Sequence, residues 1–142
     1  MIIFGVDFGD TRTGWAVCDR AEMLAAPAGV LTERRFEICA QKTAEAARNA
    51  RAEEIVVGHP LNMDGTAGDR AKKCEEFAEM LHELTGLPVK LWDERRTTVT
   101  AHQYLNDTNT RGKKRKAVVD AVAATIILEG YLGYRKNHPD AE

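Results

Sequence analysis

Hydrophobic positions along the 142-residue chain fall into two kinds of segment, short apolar runs and longer alanine-rich or amphipathic stretches. The short runs are rich in β-branched and aromatic residues, and several end at glycine or acidic residues, so they predict strands. These strands cover residues 2–8, 13–18, 24–31, 54–58 and 89–92. The longer stretches contain many strong helix formers and predict helices. These helices cover residues 34–51, 69–84, 97–106 and 116–134.

The order of these elements indicates the fold class. The first three strands follow one another without room for helices between them, which favours an antiparallel meander. Helices and strands alternate further along the chain, which favours parallel strands with helices on the sheet faces. We therefore expect a single α/β domain over residues 1–142, built on a mixed sheet, with a tail that frays from about residue 136.

Composition bears on the cellular setting. No apolar stretch approaches the roughly 20 residues that a membrane span needs. The N-terminal segment has no basic region and carries Asp7, which is unlike a signal peptide. Cys18, Cys39 and Cys74 are widely spaced and contain no C-x-x-C pair. We therefore expect free thiols, no zinc site, no membrane partner and a cytoplasmic location.

Asp120 departs most clearly from the hydrophobic pattern, because it is the only charge in the apolar stretch 117–128. On a helix it shares a face with Ala117, Ala124 and Ile127. Removing an unpaired carboxylate from water is costly even after relaxation. Asp120 therefore needs a cation, hydrogen-bond donors or a proton.

Further acids stand at the ends of two predicted strands, where ligands usually bind in α/β sheets. They are Asp7, Asp93 and Glu94. Clustered carboxylates repel one another unless they are protonated or bridged by cations, and such hard oxygen ligands suit Mg²⁺ or Mn²⁺. Two ions about 3.5–4 Å apart can activate water and stabilise a leaving oxygen in phosphodiester hydrolysis. We therefore predict one or two ions held by these acids together with Asp120.

Each acid also has an explanation that needs no metal. Asp7 could cap the turn at Gly9, Asp93 could accept hydrogen bonds from backbone donors, and Asp120 could pair with an arginine such as Arg95. A coincidence of three separate explanations is less expected than one shared site, because the acids stand where the pattern predicts apolar residues.

Positive charge is concentrated in one segment. Residues 95–116 contain seven basic side chains against the single acid Asp107, a local charge of +6 in a chain whose net charge is −2. Such a segment is typical of a polyanion-binding surface, although a solvated, mobile loop has the same composition. The predicted nucleic-acid-binding residues are Arg12, Arg95, Arg111, Lys113, Lys114, Arg115 and Lys116.

Four segments of the chain resemble the YqgF/RuvX family, small bacterial proteins with a ribonuclease H-like fold. They are residues 5–14, 56–68, 93–95 and 119–124, and the second, with Pro-Leu-Asn-Met-Asp-Gly-Thr, is the most distinctive. The resemblance implies a nuclease that processes the 5′ end of the 16S ribosomal RNA precursor, or, on an older interpretation, a Holliday-junction resolvase. The site residues that it implies are Asp7, Asp120 and Glu94, whose role Asp93 could share. His59 stands where the family usually has an apolar or aromatic residue.

Taken together, the sequence predicts a metal-dependent nuclease that acts on structured nucleic acid. Asp7, Glu94 and Asp120 would be catalytic and would hold Mg²⁺ or Mn²⁺ with Asp93, and water would be the nucleophile. The preferred substrate, precursor ribosomal RNA, follows from the resemblance. Two alternatives remain, a junction resolvase, which requires a dimer, and a non-cleaving nucleic-acid-binding or ribosome-assembly factor.

Overall fold

The computed structural model describes residues 1–96 and 112–138, and the side chains of residues 112–119 are outside this description. Five strands and three helices make up the described part of the chain. The strands are β1 (Ile3–Asp7), β2 (Arg12–Cys18), β3 (Ala25–Thr32), β4 (Glu54–His59) and β5 (Val89–Asp93). The helices are α1 (Phe36–Asn49), α2 (Asp69–Thr85) and α3 (Gly112–Asn137), and a single 3-10 turn (Glu94–Arg96) follows β5.

All five strands join one sheet, in the order β3-β2-β1-β4-β5. β1 pairs antiparallel with β2, and β2 pairs antiparallel with β3, which confirms the predicted meander. β1, β4 and β5 run parallel, so their C-terminal ends meet at the same edge of the sheet. Acids at the ends of β1 and β5 therefore lie at the same edge of the sheet, with β4 between their strands.

The two faces of the sheet are covered by different helices because successive residues of a strand point to opposite sides. Phe4 and Val6 of β1 pack into the core formed with α1 and α2. Ile3 belongs to the second core, which is formed with α3 and contains Leu128. Gly5 also faces α3, and Asp7 follows on the same side. The parity of β1 thus directs its terminal carboxylate towards the helix that carries Asp120.

α3 differs in extent from the helix predicted over residues 116–134. It begins at Gly112 and continues to Asn137. The basic residues 113–116 therefore form the first turns of a helix, which agrees with the high helix propensity of lysine and arginine. The predicted helix over residues 97–106 and the residues beyond 138 lie outside the described residues.

The cysteines agree with the prediction of free thiols, since all three are buried and unpaired. Among the helices of the described residues, none has the length and hydropathy required to cross a bilayer.

Candidate active site

The candidate site lies at the shared C-terminal edge of β1, β4 and β5, on the face covered by α3. Asp7 is the last residue of β1, and Glu94 opens the 3-10 turn that follows β5. Asp120 approaches from the first half of α3. The structure therefore gathers the three acids that were predicted as catalytic at one edge of the sheet.

Two glycines allow this close approach. A side-chain carbon at Gly14 of β2 would overlap the backbone carbonyl oxygen of Asp120. A side-chain carbon at Gly58 of β4 would lie 3.2 Å from the carboxyl carbon of Glu94 and 2.6 Å from the terminal methyl of Ile127. Glycine at these positions lets α3 and Glu94 pack directly against the sheet backbone, which sets how close the acids come.

Asp7 has an unusual electrostatic environment. Burial, followed by the charge of Glu94, raises the pKa of Asp7 from 3.8 to about 7, and Asp120 adds to this effect while Arg70 opposes it. No hydrogen bond or ion pair from a described residue reaches its carboxylate. A partly buried carboxylate without donors is an incomplete arrangement, because such groups are normally paired.

Glu94 shares this environment. Burial raises the pKa of Glu94, and the charges of Arg70 and His59 oppose the rise. Its carboxylate likewise has no hydrogen-bond donor within residues 1–96 or residues 120–138. Asp7 and Glu94 are thus two neighbouring acids whose ionised forms are destabilised.

Asp120 has a cation for its partner. Nε of Arg12 donates to its Oδ2 at 2.7 Å, and both side chains are partly exposed. Arg12 therefore neutralises Asp120 in this structure, and its predicted role in binding nucleic acid stays a prediction. The arginine that Asp120 meets is Arg12 and not Arg95.

The carboxylate of Asp93 is engaged by Arg95. Its two carboxylate oxygens accept hydrogen bonds from Nε and Nη2 of Arg95, the shortest at 2.7 Å, and the backbone N–H of Arg95 adds another. These bonds lower the pKa of Asp93 below its usual range. Nη1 of Arg95 donates to the carbonyl of Met63 at 3.3 Å, so the pair fastens the loop between β4 and α2 to the 3-10 turn. The predicted metal role of Asp93 stays a prediction, and this pairing weighs against it.

The donor set fits a divalent cation. Asp7 and Glu94 offer hard oxygen ligands, and a cation between them would offset the burial that raises both pKa values and the charge of Glu94 that raises the pKa of Asp7. Among the described residues, no group of three or more His, Cys, Asp or Glu side chains forms a ready metal cage.

The predicted basic surface leads into the site along α3. Its backbone carries four of these residues within the two turns that precede Asp120, about 6–10 Å along the helix axis. They are Lys113, Lys114, Arg115 and Lys116. Their role in binding nucleic acid stays a prediction, and Arg111 lies outside the described residues.

Two further side chains near the acids are not among the predicted site residues. Arg70, in the first turn of α2, donates from Nη2 to the carbonyl of Phe8 at 3.1 Å, and its charge lowers the pKa of both Asp7 and Glu94. No local sequence pattern marks it, except that a cation is unfavourable near a helix N-terminus. His59, at the end of β4, lies 2.9 Å from the carboxylate of Glu75. The sequence gives one signal for His59. It precedes a proline, at a position where the YqgF/RuvX family usually has an apolar or aromatic residue.

Comparison with known proteins extends over the full chain. The sequence profile of the family described as RuvX: Holliday junction resolvase matches residues 1–134. A relative from Desulfitobacterium hafniense (strain DSM 10664 / DCB-2) is 43% identical over 144 residues, covering 100% of this chain and 100% of the relative. A relative from Halothermothrix orenii is 42% identical over 135 residues, covering 95% of this chain and 96% of the relative. Both are named, provisionally, as pre-16S rRNA nucleases.

Solved structures of resolvases share the architecture. RuvC of Thermus thermophilus, determined in complex with a Holliday junction substrate, aligns with a TM-score of 0.59 at 14% identity, covering 94% of this chain and 96% of that chain. The Holliday junction resolvase of fowlpox virus aligns with a TM-score of 0.54 at 12% identity, covering 96% of this chain and 99% of that chain. At these identities the likeness concerns the fold, and it confirms the predicted ribonuclease H-like architecture. The family profile and the relatives match almost the whole length of the chain, and the shared fold agrees with them. The chain therefore belongs to the RuvX family.

Proposed function

We propose that this protein is a divalent-metal-dependent nuclease that hydrolyses phosphodiester bonds in the 5′ region of the 16S ribosomal RNA precursor. One observation carries the proposal: the carboxylate of Asp7, whose pKa is raised to about 7, lies beside Glu94 with no donor from the described residues. A site of this kind is completed by a cation. The names of the relatives support the RNA substrate, and the basic first turns of α3 support a polyanionic ligand.

In this mechanism Asp7 and Glu94 would hold one or two Mg²⁺ or Mn²⁺ ions, with Asp120 as the third ligand. The bound metal would supply Lewis acidity that favours ionisation of water and stabilises the leaving oxygen. The residues of the chain orient the acids: Gly14 and Gly58 allow the close packing, and Arg12 holds the Asp120 side chain towards β2. The helical residues 113–116 would hold the RNA backbone without reading its sequence. We place this activity in the cytoplasm, where ribosomal RNA is processed in bacteria.

Cleavage of a precursor RNA tests the proposal. Purified protein with Mn²⁺ is expected to cut a transcript that carries the 5′ leader of 16S ribosomal RNA, and Asp7→Asn is expected to abolish the cutting. Glu83→Gln is the matched control, because Glu83 is an exposed acid near the far end of α2. Circular dichroism spectra that coincide for all three proteins would exclude misfolding as the cause.

A second candidate, the junction resolvase, is favoured by the description of the family and by the shared fold. It requires two copies of the site, so the protein would be a dimer by light scattering and would cut four-way DNA but not the precursor transcript. Binding of the RNA without cutting, across Mg²⁺ and Mn²⁺, would instead favour an assembly factor that has lost cleavage.

A further inference from the structure

Arg70 is held at the edge of the carboxylate site by a single backbone contact. Its Nη2 donates to the carbonyl oxygen of Phe8 at 3.1 Å, and Phe8 directly follows Asp7 in the chain. The residue is exposed, and no carboxylate of a described residue lies within ion-pair distance of its guanidinium. An arginine carries five N–H donors, so this single contact leaves most of them available to a ligand.

The position of Arg70 is not explained by the stability of α2. It is the second residue of the helix, where the positive end of the helix dipole disfavours a cation. Asp69 beside it is the type of residue that a first turn favours. A side chain that works against local stability at the edge of a candidate site suggests a functional role.

Three other basic side chains around the site are engaged by acids. Arg12 pairs with Asp120 at 2.7 Å, and Arg95 pairs with Asp93 at 2.7 Å. One turn after Arg70, Lys73 pairs with Asp10 at 3.0 Å. Arg70 differs from these three because its anchor is a neutral carbonyl, which leaves its full positive charge uncompensated by direct contact.

We propose that Arg70 binds a phosphate of the substrate strand next to the bond that is cut, and so orients that bond over Asp7 and Glu94. This inference rests on the proposed nuclease function and names a substrate-binding residue for the same site. The guanidinium is planar, so with one nitrogen fixed to Phe8 its remaining edge can donate two parallel hydrogen bonds to phosphate oxygens. Lysine could not hold the carbonyl and a phosphate in the same geometry.

The chain offers a matched control for this role. Arg48, in the last turn of α1, also donates from one Nη to a backbone carbonyl, that of Leu84, at 3.0 Å. Leu84 lies at the opposite end of α2, about 21 Å from Arg70 along the helix axis. Arg48→Gln removes the same charge and the same type of contact, at a place remote from the acids.

The test compares Arg70→Gln, Arg70→Lys and Arg48→Gln with the wild type. Affinity for a fluorescent RNA hairpin that carries the 16S 5′ leader is measured against salt concentration, in an Asp7→Asn background that prevents cutting. Loss of one phosphate contact is expected to reduce the slope of log K against log[salt] by about 0.9 in Arg70→Gln and to leave it unchanged in Arg48→Gln. In the same Asp7→Asn background, Arg70→Lys is expected to retain the slope of log K against log[salt].

Cleavage kinetics and thermal unfolding separate binding from a structural role. With an active Asp7, Arg70→Gln is expected to lower kcat/KM by about 10²-fold, and Arg70→Lys to recover only part of it, because the bidentate geometry is lost. An unchanged salt slope in Arg70→Gln overturns the inference, and a fall in Tm with that unchanged slope would identify Arg70 as a structural anchor of Phe8. Wild type that binds the hairpin but never cuts would contradict the proposed function alone, whereas wild type that does not bind would overturn both.

Discussion

The backbone carbonyl of Asp120 rests directly against the α-carbon of Gly14, so that α3 meets β2 with no side chain between them. This contact sets the height of the Asp120 carboxylate above the sheet. Asp7 pairs with Gly14 in the register of β1 and β2, so the same glycine lies beside two of the three acids. The position of the site therefore depends on a residue that has no chemistry of its own.

Substitution of Gly14 is expected to move Asp120. In Gly14→Ala the added methyl overlaps the carbonyl of Asp120, so α3 must shift. We expect a loss of about 1–3 kcal/mol in the free energy of unfolding, measured by urea denaturation. Because small misplacements are costly in catalysis, cleavage should fall by about 10²-fold.

Gly133 provides the control for this substitution. It lies in the same helix, and a side-chain carbon there would meet no atom within 4 Å. Gly133→Ala is therefore expected to raise the free energy of unfolding by about 0.5–1 kcal/mol, through its higher helix propensity. Equal effects at Gly14 and Gly133 would show that the backbone contact does not position α3.

The raised pKa of Asp7 makes stability depend on pH. Since the pKa is 3.8 in the unfolded chain and about 7 in the fold, the folded state holds the proton more tightly. The contribution of Asp7 to the stability of the fold is thus greatest below pH 4 and is lost as the pH rises to 7. The difference corresponds to at most about 4 kcal/mol, which partial solvent access reduces to about 1–3 kcal/mol.

Asp7→Asn removes this dependence. In the presence of EDTA, urea denaturation should find Asp7→Asn more stable than the wild type at pH 8 by that amount, with the advantage gone near pH 4. An advantage that is independent of pH would mean that the carboxylate does not titrate in this range. Glu83→Gln serves as the surface control, since Glu83 is an exposed acid near the far end of α2.

Two kinds of contact at the site show how much of the fold and of the site can be predicted from the sequence. The strands, their directions and the convergence of Asp7, Glu94 and Asp120 follow from local periodicity and from the rule that parallel strands end at one edge. The partner of Asp120 does not, because Arg12 lies 108 residues away in the chain and any of several arginines satisfied the pattern. Arg70 was missed for a related reason, since its anchor is a backbone carbonyl that carries no sequence signal.

Metal affinity is expected to follow the ionisation of Asp7. A cation competes with the proton that Asp7 binds below pH 7, so Mn²⁺ affinity should weaken by about tenfold per pH unit below that value. Isothermal titration at pH 6 and pH 8 measures this change. Asp7→Asn and Glu94→Gln should weaken binding strongly, while Asp93→Asn should change it little because Arg95 already engages that carboxylate. Equal losses in the Asp7 and Asp93 variants would make Asp93 a ligand after all.

Arg95 is expected to stabilise the loop between β4 and α2. It contacts the carbonyl of Met63, and the loop is closed by the hydrogen bond from the Gly65 N–H to Asn62 at 2.8 Å. In Arg95→Ala, hydrogen exchange at the Gly65 amide should accelerate by about 5–10-fold, which corresponds to about 1 kcal/mol. Arg96→Ala is the control, because Arg96 packs over the Trp92 ring and away from this loop. Similar exchange in both variants would refute the fastening role.

A buried hydrogen bond far from the acids attaches α3 to the sheet. The hydroxyl of Tyr131 donates to Oε2 of Glu54 at 2.7 Å, and Glu54 is only 5% exposed. Tyr131→Phe would leave this carboxylate without its donor, with Arg135 at 3.8 Å as the remaining neighbour. We expect a loss of about 1–3 kcal/mol in the free energy of unfolding. Tyr134→Phe, one turn along the helix, should stay within about 0.5 kcal/mol. If urea denaturation finds the two substitutions equivalent, the bond between Tyr131 and Glu54 contributes no more than a surface contact.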